Sequence, residues 1–310
     1  MNTIRTNERR LVMQSVIGEV ASPRFRTPPY RVSTEGVPMV LPGTGGVTYN
    51  VRVGDPAFGW VADHVEPAVS ARNRESKDGF GPENEGFNYL SCVGNDALVV
   101  TGAAKGAMGF VTGTHGGIEH VLIDFDPKTL GRMTIGDRIQ VRAFGQGLAL
   151  ADQPEVKLFN LDPRLFHKLG CRLDGRGRLH VPVTRRIPPE LMGSGVGSSS
   201  AYSGDYDITS ADKRLLIELG IDRLRLGDLV AIEDHDNSFG RAYRRGAVTV
   251  GVVIHSDCVL AGHGPGVTAI MTSVRGNIVP EIHAKANIAN YLGVRRDIFG
   301  VASKTRRMSP

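Results

Sequence analysis

Glycine accounts for 39 of the 310 residues, roughly twice the ~7% of an average soluble protein, and its placement limits the fold more than any other feature of the chain. The glycines do not form a low-complexity tract. They punctuate short apolar and β-branched runs, the pattern of many strands joined by tight turns. The clearest runs are Ala97–Thr101, Val121–Phe125, Arg138–Phe144, Asp228–Glu233 and Ala247–His255. The last, AVTVGVVIH, is apolar on both faces and is expected to be a central strand covered on both sides. Two stretches, TIGDRIQVRAF at 134–144 and RLGDLVAIED at 225–234, each launch a strand from a Gly-Asp turn. They predict two related hairpins, each entering a barrel or sandwich.

Helical signals are few. Ser210 is the expected N-cap of ADKRLLIELG with Gly220 as its stop, Asp162-Pro163 opens RLFHKLG, and a third helix is expected over 280–292. Strands outnumber helices without regular alternation, which argues against a doubly wound parallel sheet. The expected fold is therefore mainly β (α+β with few short helices), a multi-layer sandwich or barrel-like core with peripheral helices. Asn73–Asn88 and Gly193–Asp207 read as loops, and loops of that length are commonly lids or subunit contacts.

The net charge of +5 resides at the ends: residues 1–31 hold six arginines against Glu8 and Glu19, and 301–310 hold Lys304, Arg306 and Arg307. This divides the chain into a basic N-terminal arm (1–31), one large mainly β domain (32–300), with two subdomains meeting near 150–210 as a variant, and a basic tail (301–310). The nearly neutral body argues against a nucleic-acid partner, and the basic ends are expected to be solvated or to clasp a neighbour in a homo-oligomer. No apolar run approaches the ~18 residues of a membrane helix and no leader pattern opens the chain. Cys92, Cys171 and Cys258 form no C-x-x-C pair, as in reduced proteins, so a cytoplasmic location and no membrane partner are expected.

Phosphate-loop, nucleophile-elbow, zinc-helix and C-x-x-C motifs are all missing, which disfavours common NTPases, α/β-hydrolases, zincins and zinc ribbons. The run G-S-G-V-G at 193–197 lacks the strand and helix that a dinucleotide site needs. What remains is a set of histidines in Gly-rich polar segments: His64, His115, His120, His235, His255 and His263. Carboxylates stand close in sequence, Asp63 and Glu66 beside His64, Glu119 beside His120, Asp234 and Asp236 beside His235, and Asp257 beside His255. Imidazole with carboxylate is the chemistry of a mixed N/O metal site. His64, His115, His120, His235 and His255 are the expected ligands of a divalent metal (Zn, Mn or Fe), with Glu66 or Asp257 as general base. If the strand ending at His255 continues, His255 and Asp257 share one side of the sheet. In the Ser-rich loop, Ser198, Ser199 and Asp205 are candidates for substrate binding. Ser198, Ser199, Ser200 and Ser203 are also candidate nucleophiles, and Cys258 a candidate thiolate nucleophile or ligand, with a flexible loop or substrate clamp and a buried thiol as the simpler readings.

The segments ADHVEPAVS (62–70), GTHGGIEHVLIDF (113–125), LMGSGVGSSSAYSGDYDI (191–208) and DHDNSFGRAYRRGAVTVGVVIHSDCVLAGHGPGV (234–267) resemble those of the domain of unknown function 4438 family, over about residues 30–295. The resemblance implies a mainly β, multi-layered fold and assigns no catalytic residues. The functional expectation is a metal-dependent enzyme, a hydrolase of a small amide or cyclic amide acting through metal-activated water. A metal-dependent lyase or isomerase would use the same residues. The alternative from another class is a non-catalytic oligomeric small-molecule-binding or scaffold protein.

Overall fold

Alternating apolar residues close the first half of the chain into a barrel. The computed structural model describes residues 4–25, 30–75 and 80–299; the expected C-terminal tail lies outside them. Strands Gln14–Val20, Arg138–Ala143, Asp96–Val99, Met108–His115, His120–Asp124 and Ala68–Arg72 pair in that order, all antiparallel, and the last returns to the first through Glu19 and Val20 against Arg72 and Ala71. The inward set recurs every second residue: Val69 and Ala71, Ala97 and Val99, Val121 and Ile123, Ile139 and Val141 are all buried. That period is what a small closed barrel demands of its interior. Gln14–Val20, inside the stretch read as a basic arm, is thus a barrel strand.

A second sheet follows, ordered Lys157–Leu158, Gly266–Ser273, Ala242–Val253, Leu229–Asp236 and Arg185–Ile187, with Tyr206–Asp207 also pairing to Gly266–Ser273. The strand expected at 247–255 is a central one, as its two apolar faces require, but it ends at Val253. The protein is mainly β, as expected, with short helices at the periphery.

Departures from the sequence reading are local. The 280–292 helix is instead the strand Ile278–Ile282, parallel to Leu179–Val183, followed by the short helix Ile288–Tyr291. Pro280 is tolerated there because the strand lies at a sheet edge. Helix Lys213–Leu219 is capped by Asp212, whose carboxylate accepts from Leu215 N at 3.0 Å, and not by Ser210. Gly220 ends it at φ +67° as expected. Within 73–88, the helix Pro82–Leu90 begins at Pro82.

The barrel and the sheet meet where Thr114 N donates to Thr268 Oγ1 at 3.1 Å and that hydroxyl donates to Thr114 O at 3.0 Å. Gly113 makes the approach possible, since a Cβ there would stand 2.3 Å from Ile254 Cγ2. One residue beyond each of Gly113–Thr114 and Ile254 come His115 and His255.

Candidate metal centre

His115 and His120 face each other across the hairpin at the end of two barrel strands, and both turn Nδ1 toward Glu66. Glu66 Oε1 lies 2.6 Å from His115 Nδ1, and Oε2 lies 2.9 Å from His120 Nδ1. Oε2 also accepts from Ser70 Oγ at 2.5 Å and Gly45 N at 2.6 Å. Burial opposes the charge on Glu66, but His120 and His115 outweigh it and hold the carboxyl well below its ordinary range. Glu66 is fully buried and its oxygens are taken, so it is placed as an orienting carboxylate rather than as a free base. It fixes the His115 ring so that Nε2 is left to bind.

The second sheet supplies the remaining groups. His255 is fully buried at the strand end, with Nδ1 against Ser256 O at 2.8 Å. Its Nε2 lies 2.9 Å from Asp205 Oδ2 and 3.5 Å from Asp207 Oδ1. Asp205 and Asp207 flank Tyr206 on one strand, so the period-2 rule sends both carboxylates to the same side. Gly116 N donates to Asp205 Oδ1 at 2.8 Å and anchors it. His64, at a left-handed φ of +53°, sets Nδ1 3.1 Å from Asp63 Oδ1 and Nε2 3.2 Å from His263 Nδ1. His263 Nδ1 in turn lies 2.8 Å from Asp207 Oδ2. The rings of His64, His115 and His255 lie with centroids 4.4–5.8 Å apart.

The donors fit a metal ion. His255 Nε2 and Asp205 Oδ2 are both buried, yet neither has a hydrogen-bond partner of acceptable geometry among the described residues, although they are 2.9 Å apart. Nitrogen and oxygen therefore converge without a proton aligned between them. Ligand atoms ~2.05 Å from a metal stand about 2.9 Å apart at a right angle and about 3.3 Å apart at the tetrahedral angle; the 2.9 Å between His255 and Asp205 falls in that range, and the 3.5 Å to Asp207 lies just beyond it. Gly266 keeps the point of convergence clear of side chain, because a Cβ there would stand 1.9 Å from Asp205 Oδ2 and 2.3 Å from His255 Nε2. Two trios satisfy the spacing and share His255: His115, Asp205, His255 and His64, Asp207, His255. A third, His64, Cys258, His263, fits less well. Burial and the neighbouring Asp63 push the Cys258 thiol far up, and it donates to Asp63 Oδ1 at 2.8 Å, whereas a ligand must be thiolate.

Burial would lower His255, but Asp205 and Asp207 prevail and raise it well above the usual imidazole value. Burial and the like charges of His255 and His115 lower His64 despite Asp63. Burial raises Asp205 and Asp207, yet His255 outweighs it and holds both below the ordinary carboxylate value.

The chain is described by two family models, domain of unknown function (DUF4438), N-terminal, over residues 30–167, and its C-terminal counterpart over 168–292. It belongs to this family. The DUF4438 boundary falls between the two halves of the site, with His64 and His115 before it and Asp205, Asp207, His255 and His263 after it. The crystal structure of TM1086 is similar at 51% identity and a TM-score of 0.88, over 94% of this chain and 99% of that one. None of the curated proteins matches the chain.

Of the residues expected from the sequence, His64, His115, His255, Asp205 and, behind them, His120 and Glu66 come together. Two do not. His235 lies against Tyr206 and Tyr243, at 5.7 and 6.4 Å between centroids, and Tyr206 leaves its strand on the face opposite Asp205 and Asp207. Asp257 is not beside His255, because the strand stops at Val253; its carboxylate instead meets Ser210 Oγ, Cys258 N and Lys213 Nζ. Ser198 lines the cavity over the centre, whereas Ser199 is exposed and does not.

Asp207 and His263 were not among the expected ligands, and Glu119 and Arg241 were not among the expected site residues. That cavity, about 930 Å³, is lined by His64, His115, Glu119, Asp207, Arg241 and His263 among others. Glu119 is only half-buried, and burial raises its carboxyl above the ordinary value against the opposing Gly117 amide, with Asp205 adding to the rise. The Y-D spacing after Asp205 and the H-G-P-G turn at 263–266 were available signals for Asp207 and His263; Arg241 had none.

Proposed function

We propose that this chain is a metal-dependent enzyme, a hydrolase of a small amide or cyclic amide. The observation that carries the reading is the convergence of His255 Nε2 and Asp205 Oδ2, both buried and without hydrogen-bond partners among the described residues, beside an open cavity that Asp205 lines. A divalent Zn, Mn or Fe ion held by His115, His255 and Asp205, or by His64, His255 and Asp207, would supply Lewis acidity that polarises a carbonyl and lowers the pKa of water toward ~7. The protein's part is orientation and proton handling. Glu66 and Asp63 hold His115 and His64 in single tautomers. Glu119, accessible and raised, is the better placed carboxylate to take a proton from water and return it to a leaving nitrogen. Asp257, tied to Ser210 and Lys213, does not line that cavity.

The test is metal content measured on protein purified without chelator, together with product release from a panel of linear and cyclic amides. About one divalent ion per chain and metal-dependent turnover support the proposal. Metal without turnover on any amide favours the lyase, isomerase or binding readings, and no metal uptake overturns it.

A further inference from the structure

We propose that Arg241 binds an anionic group of the substrate, so that the molecule acted on is a carboxylate-bearing small amide. This deepens the proposed function and rests on reading the cavity as an active site. Arg241 is only 4% exposed, and among the described residues no carboxylate lies within 4.0 Å of its guanidinium. Nη2 donates to Ser203 O at 2.7 Å and the guanidinium carbon stands 5.5 Å from the centre of the Tyr206 ring, while Nε is buried without a hydrogen-bond partner among the described residues. A guanidinium left this way is costly unless another anion meets it, because its fork of donors is shaped for carboxylate or phosphate.

The side chain lines the same cavity as Asp205, Asp207 and His64. Its backbone is fixed from the Ser-rich loop: Arg241 N donates to Ser198 O, and Gly197 N donates to Arg241 O, each at 2.8 Å. Gly240 permits this clamp, since a Cβ there would stand 2.5 Å from Ser198 O. The loop at 193–207 therefore acts by holding a cation at the rim of the metal centre, with its serine hydroxyls engaged locally, as in Ser198 Oγ to Ser200 O at 3.2 Å. Another cavity cation, Arg31, is already matched to Asp63 at 3.1 Å. Arg24, which also lines the cavity, is exposed, so among the described residues Arg241 is the buried cavity arginine that no carboxylate within 4.0 Å matches.

The nearby carboxylates Asp205 and Asp207 offer a competing account, in which Arg241 merely balances them at a distance. A ligand test separates the two. Calorimetric titration of the full-length protein, with and without added Mn²⁺, uses malonate, its uncharged isostere malonamide, and inorganic phosphate as probes. The expected result is malonate binding at least tenfold tighter than malonamide in either state, a preference lost in Arg241→Gln and weakened severalfold in Arg241→Lys, which keeps charge without the fork. Circular dichroism checks that the variants fold, and Arg241→Lys carries the test if Arg241→Gln does not. No preference for malonate, or one that survives both substitutions, overturns the proposal, as does phosphate binding tighter than malonate. Metal uptake is measured on the same preparations; its absence with the malonate preference intact would remove the metal reading and leave the anion site standing.

Discussion

Glu66 shows how a residue's sequence neighbours and its spatial partners can differ. Read along the chain it belongs with His64, two positions away; in the fold it serves His115 and His120, and His64 is served by Asp63. Replacing it separates an orienting role from a catalytic one. Glu66→Gln cannot accept from all four donors, so metal affinity should fall by about 10–100-fold, read by metal titration, and thermal stability should fall with it. Asp257→Asn should leave metal content unchanged and cost about 1 kcal/mol through its weakened bonds to Ser210 and Cys258 N; a lost metal would return Asp257 to the site. Residue types were legible in the sequence, since imidazoles and carboxylates on Gly-rich segments do form the centre. Pairings were not, because Asp205 reaches His255 across a strand pairing that only the tertiary fold creates.

At the scale of elements, the Gly-Asp turn is the most legible device. It was visible at 134–137 and 225–228, and the fold repeats it at 52–55 and, with asparagine, at 92–95. In each the third residue is glycine at φ +85° to +96°. The fourth residue's backbone N–H bonds to the first residue's carbonyl, while its side chain accepts from the first residue's amide at 2.8–2.9 Å. This is a turn whose glycine supplies the left-handed step and whose Asx side chain closes the loop. The 280–292 segment misled for the complementary reason: its apolar spacing suits a helix, but pairing with Leu179–Val183 decided the outcome. Gly227→Ala tests the turn. Its φ is +87° and the new Cβ would stand 2.5 Å from Val53 Cγ1, so a loss of about 1–3 kcal/mol is expected in denaturant unfolding. The partner Asp228 carries a pH signature. Burial pushes its carboxyl up to about 6 from an ordinary 3.8, against the opposing donors Asn287 and Arg225 N. With the folded value the higher one, the folded state binds more protons between the two. Asp228 therefore costs least below about pH 4, and its cost grows as pH rises through 6 by about 3 kcal/mol in all. The stability of Asp228→Asn relative to the natural protein should improve by that order between pH 4 and 7.5; parallel curves would refute the shift.

At the scale of the whole molecule, the centre lies where the two halves of the chain meet, beside the Thr114–Thr268 contact and a shared core that packs Phe110 and Leu122 with Val250 and Ile254. His64 and His115 come from the barrel half, and Asp205, Asp207 and His255 from the second sheet and the chain beside it, so a bound ion would tie elements far apart in sequence. Binding to the folded state alone stabilises it by about 2.7 kcal/mol at a hundredfold excess over Kd. With an unfolding entropy near 2.1 cal/mol/K per residue, a chain of 310 residues should gain about 4 °C in Tm. The gain should appear with Mn²⁺ or Zn²⁺ in the natural protein and vanish in His255→Ala. Magnesium, which keeps its waters and prefers oxygen ligands, should give little. Asp205→Asn should also lose the gain, and its Tm without metal should fall as well, because it leaves the buried His255 with Asp207 alone as a carboxylate within 4.0 Å among the described residues. A rise in Tm that persists in both variants would mean that the ion binds elsewhere, and the shared His255 ligand would then have to be abandoned.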